Sequence, residues 1–447
     1  MRCASYMLKD GAVKLTEHVK LREEYFGGIV FNKCTGDTLE VDRETFEMLA
    51  MLQKAGANDM RPLSRRKQTR DILSVLLELN IIEYSPLEKP DIPQYQETQK
   101  ENGAPLEMNR RCNYLSAPET VHLAVTYRCS ESCPDCYVRK HALFADYELE
   151  TPEIFRIIDI LADNGVFQLA VGGGEPFMRT DLTDIIGHAS QNGLVVHVTT
   201  GQYILKPQYL NALRHIKSLH VGIRSEELAH DSANASAKLR MLADCVRNAG
   251  AGIGANLIMT RFTLQNIDML TELLMSCGFK RLIFLRYKPI ADQERWNAEN
   301  PGADELKSFK NWLIKAKSAY PQIMFRIDCA SSFLIRDADL PTALYAGVKG
   351  CSAGDRIISI APDGSVYPCS QFAGRDCSAG NLTRDTFKAI WHESELLKKY
   401  RNFRQDAAFK NGLCGRCGAN QFCGGCRAIA KDAYALGIGS EAFCPIE

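Results

Sequence analysis

The sequence lacks any excess of charge of one sign. Its 54 lysine and arginine residues are balanced by 54 aspartate and glutamate residues, so the formal net charge is zero. A neutral chain has no global attraction for nucleic acid or for an anionic membrane surface. We therefore expect neither nucleic acid nor a membrane among the partners of this protein.

The chain also lacks the apolar segments that membrane insertion and secretion require. No apolar run approaches the roughly 20 residues that span a bilayer. The first eleven residues, MRCASYMLKDG, contain no apolar core of the kind found in a signal peptide. We therefore predict a cytoplasmic location.

Cysteine, in contrast, is abundant, with 17 residues. Clustered thiols in a reducing compartment hold soft metals or iron–sulfur clusters more often than they form disulfides. Ten of these cysteines fall in two constellations, and the scattered remainder is assigned mostly to the core. Asp328 and Cys329 lie between the two constellations and are assigned a buried structural role.

The first 85 residues predict a small domain of strands followed by helices. The segment YFGGIVF at residues 25–31 and the segment TLEV at residues 38–41 flank a Thr-Gly-Asp turn, which is typical of a β-hairpin. Amphipathic helices follow, so residues 1–85 are predicted to be winged-helix-like. Residues 86–118 are rich in proline and polar residues, which indicates a linker.

From residue 119 the pattern changes to alternating strands and helices. Six short apolar runs are predicted to be buried strands: residues 121–126, 167–171, 194–199, 219–223, 252–258 and 282–285. Helical stretches between them predict a parallel sheet, and therefore an α/β partial barrel of six βα units over residues 119–300. Residues 301–345 are a bridging region. Residues 346–447 are rich in glycine and cysteine, which favours a domain held together by metal.

The first constellation is Cys129, Cys133 and Cys136, directly after the first barrel strand. Three thiolates on one loop hold three corners of a cluster and leave an open metal position, which makes a site reactive. A zinc site with a distant fourth ligand, or three unrelated cysteines, would have the same spacing. The second barrel strand ends in GGGEP at residues 172–176, where glycines let the backbone approach a ligand.

The Cx3Cx2C spacing, the following Tyr137 and the later GGEP resemble the radical S-adenosylmethionine (SAM) superfamily. The resemblance implies that the three cysteines hold a 4Fe–4S cluster whose fourth iron is chelated by SAM. The implied SAM contacts are Tyr137, Gly173, Gly174, Glu175, Pro176, Thr200, Asn256 and Arg286. The fourth strand departs from the family pattern, because Gly222-Ile223-Arg224 stands where many relatives carry Ser-x-Asp.

The second constellation comprises Cys351, Cys369, Cys414, Cys417, Cys423, Cys426 and Cys444. Two CxxC pairs are a standard zinc arrangement, yet seven thiols do not divide into four-ligand zinc sites. The spacing resembles the SPASM extension of radical SAM enzymes, which binds two auxiliary clusters.

Under the SPASM resemblance, an outer cluster would be held by Cys414, Cys417, Cys423 and Cys444. An inner cluster would be held by Cys351, Cys369 and Cys426, with either an open iron or Cys377 at the fourth position. The two-residue gap between Cys423 and Cys426 departs from the usual three.

The N-terminal unit resembles the PqqD-like recognition element of ribosomal-peptide maturation systems. Such elements capture a leader peptide as an added strand, and residues 25–31 are predicted to supply the exposed edge. Two alternatives remain for this unit. One is a DNA-binding winged helix, which the basic residues 65–67 would suit, and the other is a purely structural role.

Together these resemblances imply a radical SAM peptide maturase. It would cleave SAM to a 5′-deoxyadenosyl radical and modify a ribosomally made precursor peptide, forming a thioether or carbon–carbon cross-link. The implied cofactors are SAM, the SAM-binding 4Fe–4S cluster and two auxiliary 4Fe–4S clusters, and the implied partners are the precursor peptide and an electron donor such as flavodoxin or ferredoxin. The sequence assigns no catalytic acid or base.

Three other functions fit the same motifs in part. A sulfatase maturase that forms formylglycine, or a modifier of small molecules, would share the barrel and the auxiliary clusters. A zinc-dependent regulator that reads DNA would share only the cysteine spacing.

Overall fold

The computed structural model describes residues 12–55, 58–59, 67–85, 113–130, 133–134, 136–138, 147–289, 292–335, 350–373, 377–420, 422–430, 438–441 and 444. The chain divides into two compact units, Met1–Ser116 and Ala117–Glu447. Most of the predicted linker, part of the bridging region and the side chains of the basic residues 65–67 lie outside the described residues.

The first unit contains strands and helices in the predicted order. They are β1 Ala12–Leu15, β2 Val19–Glu24, β3 Gly27–Asn32, β4 Thr38–Asp42, α1 Arg43–Ala55, β5 Asn58–Asp59, α2 Lys67–Glu78 and β6 Ile82–Ser85. β3 and β4 form the predicted hairpin. The carboxylate of Asp42 accepts a hydrogen bond from the Thr45 amide at 2.8 Å, which satisfies a donor at the start of α1.

β3 is the central strand of its sheet, which has the order β2-β3-β4. Ile29 lies opposite Arg22 on β2 and Glu40 on β4, and every residue of β3 is buried. The expectation that residues 25–31 offer an exposed edge is therefore wrong. The sequence pattern predicted the pairing of β3 with β4, but β2 pairs with the other edge of β3.

The six predicted barrel strands are all present in the second unit. They are β7 Thr120–Thr126, β8 Gln168–Gly173, β9 Val195–Thr200, β10 Ser218–Ile223, β11 Gly252–Met259 and β12 Arg281–Arg286. Each pairs in parallel with the next, and β13 Met324–Ile327 adds a seventh parallel strand beside β12. This arrangement confirms the α/β partial barrel.

Helices cover the sheet between successive strands. They are α3 Thr151–Asp163, α4 Leu182–Gln191, α5 Ser225–His230, α6 Ser232–Asn248, α7 Arg261–Gln265, α8 Ile267–Ser276, α9 Gln293–Glu299 and α10 Ala303–Ala319. In α3 the buried residues Ile154, Ile157, Ile158 and Leu161 recur at helical spacing, so one apolar face packs inward. No helix in the described parts of the chain is long and apolar enough to cross a membrane.

The cysteine-rich region continues the barrel sheet. Its strands are β14 Ile357–Ile360, β15 Ser365–Tyr367 and β16 Gly380–Asn381, and its helices are α11 Glu395–Arg401, α12 Ala407–Lys410 and α13 Leu413–Arg416. β14 pairs in parallel with β7, which makes a sheet of ten strands. Phe372, Trp391 and Tyr400 are fully buried, so this region has an apolar core as well as its thiols.

Candidate active site

The glycine run at the end of β8 lies directly against the cysteine loop after β7. The amide of Gly174 donates to the Thr126 carbonyl at 2.7 Å, and the amide of Glu175 donates to the Arg128 carbonyl at 2.8 Å. A Cβ atom on Gly174 would lie 2.3 Å from the Arg128 carbonyl oxygen. Only glycine permits this approach, so the two motifs form one site at the carboxyl end of the sheet.

Glu175 is fully buried and ties β8 to β9. Its carboxylate accepts hydrogen bonds from the Thr200 hydroxyl at 2.9 Å, the Gly201 amide at 2.9 Å and the Phe177 amide at 3.2 Å. A buried carboxylate is stable only when it is hydrogen-bonded in this way. These contacts position the ends of both strands, and Pro176 begins the short 3₁₀ helix Pro176–Met178 behind them.

The cysteine loop leaves β7 through a polar anchor. The Arg128 amide donates to the Thr126 hydroxyl at 3.0 Å, and the Arg128 guanidinium pairs with Glu148 at 2.9 Å. Cys129 is exposed, whereas Cys133 and Cys136 are half-buried. The Cys136 amide donates to the Cys133 carbonyl at 3.3 Å, which turns the second half of the loop back on itself.

Tyr137 lies between the barrel loop and the second cysteine constellation. Burial raises the pKa of Tyr137 to about 12, and the thiols of Cys369 and Cys136 act in the same direction. Ser370 forms a hydrogen bond with this side chain and opposes the shift, as does the charge of Lys288. Because these interactions act over short distances, one cysteine of each constellation lies near Tyr137.

Two predicted SAM contacts have other partners in this structure. Asn256 on β11 forms a side-chain hydrogen bond with His220. Arg286 on β12 forms a buried ion pair with Glu441 at 2.5 Å, donates to the Ala330 carbonyl at 3.2 Å and lies 4.9 Å from the Phe333 ring centre. The guanidinium of Arg286 therefore joins the barrel to the C-terminal segment.

Arg224, which stands at the fourth barrel strand where many relatives carry aspartate, has defined contacts in the structure. Arg224 donates to the Gly201 carbonyl at 2.9 Å, and its guanidinium lies 4.4 Å from the ring centre of Tyr203. The Arg224 amide also donates to the Tyr203 hydroxyl at 3.1 Å. This side chain supports the end of the third barrel strand.

Three thiols of the proposed outer group each accept a hydrogen bond from a backbone amide. The Cys414 sulfur accepts from the Glu441 amide at 3.3 Å, the Cys417 sulfur from the Ala419 amide at 3.5 Å and the Cys423 sulfur from the Gly425 amide at 3.4 Å. Burial raises the pKa of Cys423 to about 11, and Glu441, Cys444 and Cys414 act in the same direction. Cys444 is thereby placed near Cys423 and Cys414.

The inner thiols also lie near one another. Burial raises the pKa of Cys369 to about 11, and Cys351 adds to the shift, whereas the Gln371 amide donates to the Cys369 sulfur at 3.4 Å. Cys426 is buried, and its pKa is raised by burial and by the thiols of Cys351 and Cys369. Cys329, which the sequence analysis left outside the site, interacts with these same three thiols.

The outer and the inner sets of cysteines both suit iron–sulfur clusters. Thiolates are the ligands of such clusters, and amide hydrogen bonds to their sulfurs tune the reduction potential. The raised thiol pKa values describe the metal-free protein, and coordination would deprotonate these groups. No three His, Cys, Asp or Glu side chains among the described residues converge on a position for a single metal ion.

Comparison with protein families identifies two domains in this chain. Residues 123–243 match the radical SAM superfamily. Residues 351–418 match the SPASM family, an iron–sulfur cluster-binding domain. The first match contains the barrel cysteines and GGEP, and the second begins at Cys351.

Similar proteins of known activity include three kinds of enzyme. A mycofactocin maturase from Mycolicibacterium smegmatis is 28% identical over 324 residues, which are 70% of this chain and 79% of that protein. An AdoMet-dependent heme synthase from Methanosarcina barkeri is 25% identical over 74% of this chain and 97% of that protein. A PqqA peptide cyclase from Rhodopseudomonas palustris is 27% identical over 71% of this chain and 85% of that protein.

Solved structures share the fold to different extents. Streptococcus suis SuiB bound to S-adenosylmethionine has a TM-score of 0.68 at 18% identity, and the match covers 96% of this chain and 99% of SuiB. SuiB has also been solved with its precursor peptide SuiA, with the same TM-score of 0.68. The enzyme anSMEcpe with bound AdoMet has a TM-score of 0.54 at 14% identity, covering 72% of this chain and 93% of anSMEcpe.

Proposed function

Because this chain is an enzyme with a radical SAM domain and an iron–sulfur cluster-binding domain, we propose that it is a maturase of a ribosomally made precursor peptide. The reaction is a cross-link within the peptide, through a thioether or a carbon–carbon bond. The N-terminal unit binds the leader part of the peptide, and a flavodoxin or ferredoxin supplies electrons.

The observation that carries this proposal is the presence of a separate first unit, Met1–Ser116, ahead of the barrel. The fold match to SuiB covers 96% of this chain, whereas the match to anSMEcpe covers 72%. SuiB has been solved with a precursor peptide. A three-stranded sheet such as β2-β3-β4 offers main-chain pairing to an extended peptide at its outer strands, β2 and β4.

The residues of the barrel then hold SAM close to the peptide. When bound, the cluster and SAM together supply a carbon-centred radical that removes a hydrogen atom from the peptide. Cys129, Cys133 and Cys136 are proposed as the cluster ligands, and Gly173 and Gly174 as the backbone that contacts the amino end of SAM. Glu175 and Thr200 keep this backbone in place through the hydrogen bonds described above.

A second candidate is the modification of a small molecule. The similarity to the AdoMet-dependent heme synthase covers 97% of that protein, although its 25% identity is no higher than that of the peptide enzymes. In this alternative the first unit has no leader peptide to bind. The role of the first unit therefore distinguishes the two functions.

The decisive experiment compares the full chain with a variant that lacks residues 1–116. The probe is the product of a short reading frame next to the gene, and peptide mass and 5′-deoxyadenosine are both measured. We expect the variant to cleave SAM like the full chain but to modify the peptide about 100-fold more slowly, because it loses the anchor that raises the local peptide concentration.

Two results would contradict the proposal. Equal peptide turnover by both proteins would assign the first unit a structural role. Conversion of a tetrapyrrole by the full chain, with no change in any peptide, would establish the small-molecule function.

A further inference from the structure

Cys329 lies at the carboxyl edge of the barrel sheet. It follows β13 after one residue, Asp328, and begins the 3₁₀ helix Cys329–Ile335. The Asp328 amide donates to the Phe284 carbonyl at 3.0 Å, so the pairing between β13 and β12 continues to the residue before this thiol. Residues that follow parallel strands gather at one edge, and this edge carries the candidate active site.

A series of polar contacts connects the Cys329 segment to Cys426. The carbonyl of Ala330 accepts from Arg286 at 3.2 Å, and Arg286 pairs with Glu441 at 2.5 Å. Glu441 in turn accepts from the Cys426 amide at 2.6 Å. Ala330 and Cys426 also belong to one apolar cluster, against which Cys351 and Cys369 pack.

Cys329 is accessible, and its neighbours are thiols and a carboxylate. The residue has exposed surface, although the next two residues, Ala330 and Ser331, are buried. The thiols of Cys351, Cys426 and Cys369 and the carboxylate of Asp328 all interact with the Cys329 thiol. The thiol of Cys329 is therefore accessible and lies in the same region as the three inner thiols.

We propose that Cys329 is the fourth thiolate of the inner group, together with Cys351, Cys369 and Cys426. Four cysteine thiolates are the usual ligand set of a 4Fe–4S cluster. Lys288 supports this set, because its ammonium pairs with Asp328 at 2.9 Å and its charge acts on both Cys426 and Cys329. The inference rests on the proposed function, in which this group holds an auxiliary cluster.

Cys377 is the alternative fourth ligand, and it packs against the same apolar cluster as Cys351 and Cys369. The sulfur lies 3.8 Å from the Phe372 carbonyl oxygen, to which the thiol donates. Donation to a backbone carbonyl requires the proton that a metal-bound thiolate has lost. Cys377 therefore serves as the matched control, a half-buried thiol of the same region that the proposal leaves outside the ligand set.

The fourth thiolate restricts what the inner site can do. With all four irons ligated by the protein, no position remains for a cysteine of the peptide. The peptide cysteine then cannot bind an iron of the inner cluster. A thioether would have to form without coordination of the peptide thiolate at this cluster. An open iron would instead accept an external ligand.

The test uses the full chain with Cys129, Cys133 and Cys136 changed to alanine, so that only auxiliary clusters remain. After anaerobic reconstitution, this protein and its Cys329→Ala and Cys377→Ala derivatives are reduced and mixed with ¹³C-cyanide. Pulsed electron paramagnetic resonance detects ¹³C coupling only where cyanide binds an iron. We expect the Cys329→Ala derivative to show ¹³C coupling at an opened iron, or to lose about four irons with the inner cluster. The protein that retains Cys329 and the Cys377→Ala derivative should show neither change.

Each other outcome has a definite meaning. Coupling in the protein that retains Cys329 would overturn the proposal, and this measurement remains decisive if Cys329→Ala fails to fold. A folded Cys329→Ala protein with unchanged iron and spectrum, or the same loss with Cys377→Ala, would also overturn it. A protein that binds no auxiliary iron at all would refute the proposed function instead.

Discussion

Two neighbouring glycines of the GGGEP segment have different surroundings. Gly173 has a φ of +114°, and a Cβ atom there would lie 2.3 Å from the Thr126 carbonyl oxygen. At Gly172 the nearest atom to such a Cβ would be the Cβ of Thr199, at 4.0 Å. Backbone shape and space both require glycine at residue 173 and neither requires it at residue 172.

We therefore predict that Gly173→Ala destabilises the second unit and that Gly172→Ala does not. A non-glycine residue in this backbone conformation costs about 1–3 kcal/mol, and the close contact adds to this. Thermal unfolding of both variants in the full chain measures the difference. An equal midpoint for the two variants would contradict the assignment of a constrained backbone at residue 173.

At the same scale, the sequence identifies the motifs of the candidate site but assigns Cys329, which we propose as a ligand, to a structural role. The barrel cysteines and GGEP are recognisable from their local spacing, and in the structure Gly174 and Glu175 bond to Thr126 and Arg128, directly before the cysteine loop. Cys329 stands alone in the sequence, and only the position of β13 beside β12 brings it to the inner thiols. A prediction of a seventh strand at residues 324–327 would have placed it at the correct edge.

At the scale of secondary structure elements, β3 organises the first unit. It has partners on both sides, and its residues Ile29, Val30 and Phe31 are almost fully buried. Burial of side chains of this size contributes about 1.5–3 kcal/mol each. The sheet of the first unit therefore depends on its middle strand.

Ile29→Pro is predicted to unfold the first unit. Proline removes a backbone donor from a central strand and the substitution leaves a cavity, at a combined cost of about 3–5 kcal/mol. Amide hydrogen exchange of residues 12–85 in the full chain measures the effect, and Ile29→Val, which costs about 0.5–1.5 kcal/mol, is the control. Retained protection in the proline variant would contradict the central position of β3.

Element positions were predictable where periodicity was strong. The six apolar runs became β7 to β12 with ends shifted by one or two residues, because buried parallel strands are continuous apolar runs. Pairing between distant elements was not predictable in the same way. The three-residue strand β15 and the contact of β14 with β7 depend on partners that no local pattern specifies.

At the scale of the whole molecule, Arg286 and Glu441 connect the barrel to the C-terminal segment. Their side chains are 7% and 2% exposed, so each charge depends on the other. The Glu441 carboxylate also accepts a hydrogen bond from the Cys426 amide, which connects the Arg286–Glu441 ion pair to the inner thiols. Removal of one partner leaves an uncompensated buried charge.

Glu441→Gln is predicted to destabilise the second unit by about 3–5 kcal/mol. The inner cluster signal should shift as well, because the acceptor of the Cys426 amide changes its charge. Denaturant unfolding and electron paramagnetic resonance measure the two effects. The control is Glu395→Gln, which removes the exposed pair with Lys398 and should change neither. If both variants behave alike, the ion pair has no structural role.

The pairing of β7 with β14 sets an order of events during synthesis. Glu119 and Arg356, which form an ion pair beside these strands, are 237 residues apart in the chain. A ribosome that adds about 5–20 residues per second needs roughly 10–50 s to cover that interval. During this time one edge of β7 has no partner from β14, and the nascent barrel carries its cysteine loop next to an open strand edge that invites aggregation. Cells that make this enzyme therefore have to protect the nascent chain through this interval, and slow translation would lengthen the exposure.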